Sequence, residues 1–288
     1  MTSLPTVERI AELRDQRYRR TPLLRLRDEA DAIEFVSDVG MAFLFGERTI
    51  EMPTLWEAVC GCRRRVPEHH DDADLRRTWD WKDTLPSRGA IFYGKLLRGK
   101  PTLVALELLP AFYALSPNYG SPDDYLEQYQ AGQLSLEAKN VYEALQSEGA
   151  LATSRLRQAA GLPGGGPNAR RFDRALADLQ TQLKIAKVGI SDANRWGYAY
   201  VYDLFLRQFP AVPEAARAIP QEQAMATLLL RHLRNVIAVP EAAAQRLFGW
   251  DTWSWQRVLQ RLAQRGEILT DVPLPSERRP CLVLAQSA

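Results

Sequence analysis

The sequence contains few cysteines and no long apolar segment, and both shortages narrow the possible classes of protein. Three cysteines in 288 residues cannot form a disulfide framework, which is typical of a reducing compartment. No stretch supplies the run of about 18 apolar residues that a membrane-spanning helix requires. The segment Met1–Arg20 is too polar and too acidic for a signal peptide. We therefore expect a cytoplasmic protein.

Signatures of nucleotide and hydrolase chemistry are also missing. There is no arrangement of Ser, His and Asp that indicates nucleophilic catalysis, and no dinucleotide-binding fingerprint. Gly164-Gly165-Gly166 is followed by no lysine, and it falls between two predicted helices, so it is interpreted as a loop and not as a phosphate cradle. The sequence therefore predicts no cofactor.

Charge is distributed unevenly along the chain. The net charge is only +2, but residues 150–288 hold 18 Lys and Arg against 11 Asp and Glu, whereas residues 1–149 hold 19 against 24. Only six of the 37 basic residues are lysine. Arginine suits bidentate contacts to phosphate and guanine, although a GC-rich genome also produces arginine everywhere. The basic C-terminal half is where a polyanion is expected to bind.

The C-terminal half contains the same order of elements twice. In the first copy Ser135 caps a helix that runs to Gly149, and a short helix over 153–162 and a third helix from Asn168 follow. Phe172 opens the apolar stripe of the third helix, which continues through Leu183. Two strands, 187–190 and 198–203, then form a hairpin around the polar loop 191–196.

The second copy repeats this pattern with a hairpin of its own. Helices are predicted over 221–236, 240–248 and 252–265, and the strands 269–272 and 281–284 flank the loop 275–280. Trp255 belongs to the buried face of the third helix. Three helices followed by a hairpin are typical of the winged helix. We expect a mostly α protein with small β-hairpins (α+β), with tandem winged helix-turn-helix domains at 134–212 and 213–288.

Residues 1–133 are predicted to form an N-terminal helical region that includes a degenerate winged helix. Its helices are expected at 28–40, with Pro53 in the first turn of 52–61, and at 71–84, and its strands at 90–93 and 103–105. Arg98 and Lys100 occupy the turn between these strands, so this hairpin is interpreted as a third wing with a basic tip. Polar and proline-rich segments at 117–132 and 209–220 are the predicted boundaries.

The third helix of a winged helix normally enters the major groove, so its solvent face is the expected DNA-binding face. The alternative for either copy is an ordinary solvated helix face. Gln matches adenine edges and Arg matches guanine edges and phosphate, which favours DNA contact. The candidates are Asn168, Arg170, Arg171 and Arg174 in the first copy and Gln256, Arg257, Gln260 and Arg261 in the second.

Two compositionally unusual segments could hold chemistry in the N-terminal half. Cys60-Gly61-Cys62 and His69-His70 offer four potential ligands, but zinc knuckles space their cysteines differently and occur in pairs, so no metal site is predicted. Trp79-Asp80-Trp81-Lys82-Asp83 could hold a flipped base and activate water. The favoured interpretation is structural, with the tryptophans clamping two elements and the carboxylates solvated or paired.

Besides the predicted tandem winged helices, the sequence contains several short motifs. These are WDWKD at 79–83, FYGK at 92–95, KPT at 100–102, YLE at 125–127, RFDR at 171–174 and YAYVYD at 198–203. Together they resemble the AlkZ-related proteins, distant relatives of the AlkZ/YcaQ winged-helix DNA glycosylases, over most of residues 20–250. The resemblance implies binding to double-stranded DNA. Those glycosylases use a Gln–apolar–Gln motif in the N-terminal part of the chain, but Gln16 is the single glutamine in residues 1–110. Gln128-Tyr129-Gln130 has the pattern outside that region and is interpreted as coincidence.

The sequence therefore predicts a nucleoid-associated protein that binds duplex DNA in a repair-related or regulatory role. One alternative is an active glycosylase that excises alkylated or crosslinked bases with a non-standard catalytic pair. The carboxylates available for such a pair are Glu34, Asp38, Asp80 and Asp83. Another alternative is that the wings mediate contacts with proteins only.

Overall fold

The computed structural model describes residues 6–69, 71–191, 198–274, 277 and 279–285. These residues form a mixed α and β architecture in which helices predominate and the strands make three small antiparallel sheets, which confirms the predicted α+β class. Within these ranges no helix combines the length and the apolar character needed to cross a membrane. The predicted polar loop at 191–196 and much of the loop at 275–280 lie outside the described residues.

The N-terminal unit has one sheet, whose strands lie in the order first, third, second. Thr54 caps the second of the predicted helices, so that helix begins at Leu55, and the prediction that Pro53 occupies its first turn is wrong. Arg98 and Gly99, both with positive φ, make a two-residue turn that matches the twist of the hairpin. The elements are α1 (Val7–Arg17), α2 (Glu29–Val39), β1 (Met41–Phe43), α3 (Leu55–Cys60), α4 (Ala73–Ser87), β2 (Phe92–Leu97) and β3 (Lys100–Val104).

The segment 117–132, predicted as a polar connector, contains the helix α6 (Asp124–Gln130). Before this segment, a 3-10 helix (Leu106–Leu108) leads into α5 (Leu109–Ala114). The buried carboxylate of Asp124 accepts hydrogen bonds from the backbone N–H groups of residues 119, 120 and 121. Polar side chains in this segment therefore form hydrogen bonds with nearby backbone groups, and the segment is not a solvated linker.

The middle unit has the predicted order of elements. Its strands again lie in the order first, third, second, and Ser135 caps the first helix as expected. The third helix ends at Thr181, so Leu183 lies beyond it with φ 54° and not on its stripe. The elements are α7 (Leu136–Glu148), β4 (Leu151–Ala152), α8 (Thr153–Ala159), α9 (Pro167–Thr181), β5 (Ile185–Ser191) and β6 (Ala199–Leu204).

The C-terminal unit repeats the same sheet order after two short helices. Phe172 on α9 and Trp255 in this unit are both fully buried, which confirms that they are core residues. The elements are α10 (Phe205–Gln208), α11 (Val212–Arg217), α12 (Gln221–Val236), β7 (Ala238–Pro240), α13 (Glu241–Phe248), α14 (Thr252–Gln264), β8 (Ile268–Val272) and β9 (Cys281–Leu284).

One hydrophobic cluster joins all three units. Phe92 of the first sheet packs edge-on against Phe205, with ring centroids 6.0 Å apart, and Leu228 of α12 belongs to the same cluster. Polar contacts reinforce this arrangement, because Arg14 of α1 donates to the carbonyls of Val236 and Ala238 at 2.8 and 2.6 Å. The units are therefore packed against a common core.

Candidate functional site

Two arginines on α9 have guanidinium groups without an internal partner. Arg170 and Arg174 lie one turn apart and are exposed, and neither side chain forms an ion pair or hydrogen bond within the described part of the chain. Arg171 is also exposed, and its only ion pair there is a long one of 3.9 Å to Glu137. A carboxylate does approach this face, since Asp178 lies one turn beyond Arg174 and has its pKa raised by partial burial. The N-terminal end of α9 is nevertheless free to bind an anion.

The Gly-rich loop positions this end of the helix. Gly164 and Gly166 adopt positive φ, and Pro167 starts the helix with its fixed φ. The amide of Asn168 donates to the carbonyl of Pro163 at 3.1 Å, so this candidate residue shapes the loop. At the other end Thr181 donates to the carbonyl of Lys95 in β2, about 16 Å along the helix axis from Arg170. Arg170 therefore lies about three turns along α9 from this contact with the N-terminal unit.

The corresponding face of α14 is exposed but is engaged in internal contacts. Arg257 and Arg261 both pair with Glu222 of α12, at 3.3 and 2.9 Å. Gln256 donates to Glu241, which also accepts from the buried Trp255 indole. Gln260 is exposed. A ligand must compete with these carboxylates, so the predicted face in the C-terminal unit is less available than that of α9.

The two candidate DNA-binding residues in the N-terminal hairpin differ in whether their charged groups are already paired. Arg98 is exposed at the tip of the β2–β3 turn. Lys100 pairs with Glu47 at 2.6 Å, which ties its ammonium group to the loop after β1. Of this hairpin, Arg98 is therefore the residue available to an external anion.

Three of the four candidate catalytic carboxylates lie on exposed surfaces. Glu34 and Asp38 are one turn apart on α2, as predicted, and both pair with Arg19 at 3.2 and 2.9 Å. Asp80 is exposed on α4. Exposed, ion-paired carboxylates lack the low-dielectric surroundings that catalytic carboxylates generally use.

Asp83 differs, because its carboxylate belongs to a buried polar cluster. The carboxylate is 2.6 Å from Nζ of Lys82, and these side chains are 9% and 0% exposed. The hydroxyl of Tyr198, which reaches across from the middle unit, is 3.0 Å from Asp83 and 2.7 Å from Lys82. The ammonium of Lys82 also lies over the rings of Trp79 and Tyr200, at 4.7 and 4.9 Å from the centroids.

A second lysine enters the same cluster from β5. Nζ of Lys187 lies 3.6 Å from the ring centroid of Tyr200 and 4.4 Å from that of Tyr93. Burial, and next the positive charge of Lys82, lower the pKa of Lys187 to about 7. Burial likewise raises the pKa of Tyr93 and of Tyr198 well above the ordinary value. We call this group the lysine–tyrosine cluster; its members are Trp79, Lys82, Asp83, Tyr93, Lys187, Tyr198 and Tyr200.

The lysine–tyrosine cluster brings together three of the segments on which the family resemblance rests, 79–83, 92–95 and 198–203. The favoured interpretation of the first segment agrees with the structure in part, since Trp81 is buried and Trp79 packs against Phe45 at 5.6 Å. Sequence reasoning missed Lys187 altogether. The alternation of tyrosines in β6 beside a lysine in β5 is the signal that could have identified it.

The remaining candidate motifs form no catalytic or metal arrangement in the described residues. Gln128 is buried and donates to the carbonyl of Pro117 at 2.9 Å, a structural contact. Burial raises the pKa of the Cys60 thiol to about 12, which disfavours the thiolate that binds metal. No group of three or more His, Cys, Asp or Glu residues within the described ranges is placed to hold a metal ion, and His70 lies outside those ranges.

Comparison with known proteins agrees with the resemblance seen in the sequence. The DNA glycosylase AlkZ of Streptomyces sahachiroi has a similar fold, with a TM-score of 0.59 and 13% sequence identity, over 99% of this chain and 71% of that chain. An identity this low shows a shared fold. No curated protein matches the chain. The profile of the AlkZ-related family matches residues 26–249, and the chain therefore belongs to that family.

Proposed function

We propose that this protein binds double-stranded DNA through tandem winged helices, in a repair-related or regulatory role. Each of the three sheets follows helices and has the strand order first, third, second, an arrangement that supports a winged helix in each unit. The family and the fold point to proteins that act on DNA. The observation on which the proposal rests is that Arg170 and Arg174, near the N-terminal end of α9, are exposed and have no partner among the described residues.

The number of phosphates that the protein contacts sets how strongly its DNA affinity depends on salt concentration. If about five phosphates are contacted, log affinity falls with log salt concentration at a slope of about −4.5. Three of these contacts are assigned to Arg170, Arg171 and Arg174. The basic tip at Arg98 is proposed to supply a further contact from the N-terminal hairpin, whereas Arg257 and Arg261 contribute less because Glu222 already holds them.

The test is a triple substitution of Arg170, Arg171 and Arg174 by Ala, with duplex affinity measured at several salt concentrations. Affinity should fall more than tenfold, or about 1.4 kcal/mol, and the salt slope should approach −2, since each lost phosphate contact removes about 0.9. The melting temperature should stay nearly constant, because exposed substitutions change stability by less than about 0.5 kcal/mol.

A matched control removes the same charge elsewhere. Arg9, Arg27 and Arg217 are exposed and each pairs with a carboxylate on its own helix or at its start. Their triple Ala variant should bind duplex nearly as the wild type does. Equal losses in the two variants would assign binding to net charge alone. Absence of binding at low salt would contradict the proposal and favour the view that the wings contact proteins.

Base excision by a non-standard catalytic residue is a second candidate, and the environment of Asp83 is the observation that favours it. A buried carboxylate beside aromatic rings could stabilise the sugar cation that develops as a base leaves. The test is incubation with duplex that carries 7-methylguanine, followed by alkaline cleavage of abasic sites. Strand breaks that disappear in Asp83→Asn would support this candidate, and no breaks above background would remove it.

A further inference from the structure

Lysine is rare in this chain, and its placement is uneven. Arginine supplies all but six of the 37 basic residues, and of the six lysines Lys82 and Lys184 are buried, whereas Lys187 is half-buried with a desolvated amine. An arginine cannot lose its charge in a protein, whereas a buried lysine can become a neutral amine. Burial lowers the pKa of Lys184 to about 8 and that of Lys187 to about 7, so a neutral amine is accessible at these two positions.

The three lysines differ in their partners. Lys82 pairs with Asp83, and Lys184 donates to Asn118 at 2.8 Å. Lys187 forms no ion pair or hydrogen bond within the part of the chain that the structure describes. Its amine instead lies over the rings of Tyr93 and Tyr200. An amine held beside another ammonium in apolar surroundings is the arrangement that activates a lysine as a nucleophile.

Charged and titratable groups face Lys187 from each neighbouring element. Lys82 and Asp83 approach from α4, Tyr93 and Lys95 from β2, and Tyr200 from β6. The ammonium of Lys82 favours the neutral amine more strongly than the carboxylate of Asp83 opposes it, and Lys95 favours the neutral amine to a smaller extent. Burial, followed by the balance of these charges, lowers the pKa of Lys187 to about 7, so the free amine is accessible near neutral pH.

The lysine–tyrosine cluster adjoins an open cavity of about 540 Å³ on the middle unit. Tyr200 lines this cavity and also contacts the Lys187 amine. The opposite wall comes from α8 and the Gly-rich loop, including Thr153, Arg157 and Gly164. Lys187 as a whole residue is half-buried, and the ring of Tyr200 links its amine to the cavity. The cavity is large enough to admit a sugar.

We propose that Lys187 is an amine nucleophile that forms an imine with an aldehyde, and that this aldehyde is the ring-opened sugar of an abasic site in DNA. The choice of DNA as the carrier of the aldehyde rests on the proposed function. The neutral amine attacks C1′, a C–N bond forms, and the carbonyl oxygen leaves as water after taking up two protons, one from the amine and one from solvent. The imine formed in this way keeps one proton on its nitrogen. Water or hydroxide takes the C2′ proton, a C2′=C3′ double bond forms, and the C3′–O bond breaks with its electron pair on the 3′ phosphate oxygen, which cuts the strand. Water then hydrolyses the imine, which restores the lysine and releases an unsaturated aldehyde.

The experiment is reductive trapping. Full-length protein is incubated with duplex that contains one abasic site, and borohydride is added to reduce the imine to a stable amine. The wild type should give a covalent protein–DNA species whose crosslinked peptide contains Lys187. The yield should rise between pH 5 and 8 and then level off, whereas an ordinary lysine would continue to gain up to a pH of about 10.4.

Variants separate Lys187 from other amines. Trapping should fall at least about tenfold in Lys187→Met and in Lys187→Arg, because a lysine of ordinary pKa is neutral about a thousandfold less often at pH 7. Lys139→Met removes a lysine that pairs with Glu143 and should trap as the wild type does. Undiminished trapping in both Lys187 variants would overturn the proposal.

Two further measurements distinguish this proposal from the proposed function. Affinity for intact duplex should be the same in Lys187→Met and in the wild type. Butanal with borohydride, followed by peptide mapping, tests the reactivity of Lys187 without DNA. Labelling by butanal without any duplex binding would contradict the proposed function and the DNA part of this inference. Binding of the abasic duplex without trapping would refute the inference and leave the proposed function intact.

Discussion

Replacing each lysine of the lysine–tyrosine cluster by methionine should change stability in opposite directions. Lys82→Met removes the cation 2.6 Å from the Asp83 carboxylate while leaving that carboxylate 9% exposed. Breaking one side of a buried ion pair costs about 3–5 kcal/mol. The hydroxyl of Tyr198 still donates to Asp83 at 3.0 Å, so we expect a value near the lower end, about 3 kcal/mol.

Lys187→Met should leave stability unchanged or increase it at pH 7. The folded-state pKa of Lys187 is about 7, below the unfolded value of about 10.4, so the unfolded state binds more protons between these limits. Wild-type stability should therefore rise as the pH increases from 7 to 10 on account of this group. In Lys187→Met that part of the rise should be absent.

Urea unfolding at pH 7 and pH 9 measures both effects through the transition midpoint, provided that the slope m stays constant. The double variant Lys82→Met/Asp83→Leu should be less destabilised than Lys82→Met alone, because a buried ion pair replaced by apolar groups is often neutral. If Lys82→Met were as stable as the wild type, the ion pair would not be the buried contact described above. If Lys187→Met lost as much stability as Lys82→Met, the argument that its ammonium lacks a partner would be refuted.

Two further predictions concern buried residues outside the lysine–tyrosine cluster. Phe172→Ala and Trp255→Ala should each cost about 3–5 kcal/mol in urea unfolding, since both side chains are fully buried, and a stable variant that lost only DNA binding would contradict their place in the core. Burial lowers the pKa of His232 to about 3, below the unfolded value of about 6.5, so stability should fall as the pH drops from 6.5 towards 3. Unfolding midpoints at pH 7, 6, 5 and 4 should show a flatter profile for His232→Leu, and identical profiles would refute this origin of acid sensitivity.

Local structure in the C-terminal half could be predicted because short-range signals there are consistent. Ser135 caps α7 as the sequence indicates, and Phe172 and Trp255 mark the buried sides of α9 and α14. The predicted bounds differ from the observed ones by a few residues at most elements. Apolar periodicity decides these cases, since α7 and α9, and likewise α12 and α14, bury one face against each other within their own unit.

Contacts between distant polar residues could not be predicted in this way. Arg14 lies on α1, and its partners Val236 and Ala238 are more than 200 residues away. Lys82 and Tyr198 are likewise far apart in sequence and meet only because α4 packs against β5. Neither pairing leaves a periodic signal in the sequence, because a single side chain makes each contact. The candidate site is therefore visible in the sequence only as separate motifs.

A structural role and a chemical role of the lysine–tyrosine cluster require different residues. A polar cluster that serves only to orient the N-terminal unit against the middle unit needs the Lys82–Asp83 pair and the hydroxyl of Tyr198. Lys187 gains cation–π contacts with two tyrosine rings, but its ammonium is desolvated and has no ion pair among the described residues. A methionine there would pack against the same rings without that desolvation. Proteins generally accept such a cost where activity requires it. At Lys187, the residue that would give the most stable protein therefore differs from the residue that the proposed chemistry needs. If the cluster were purely structural, no variant at this position would be more stable and at the same time lose imine formation.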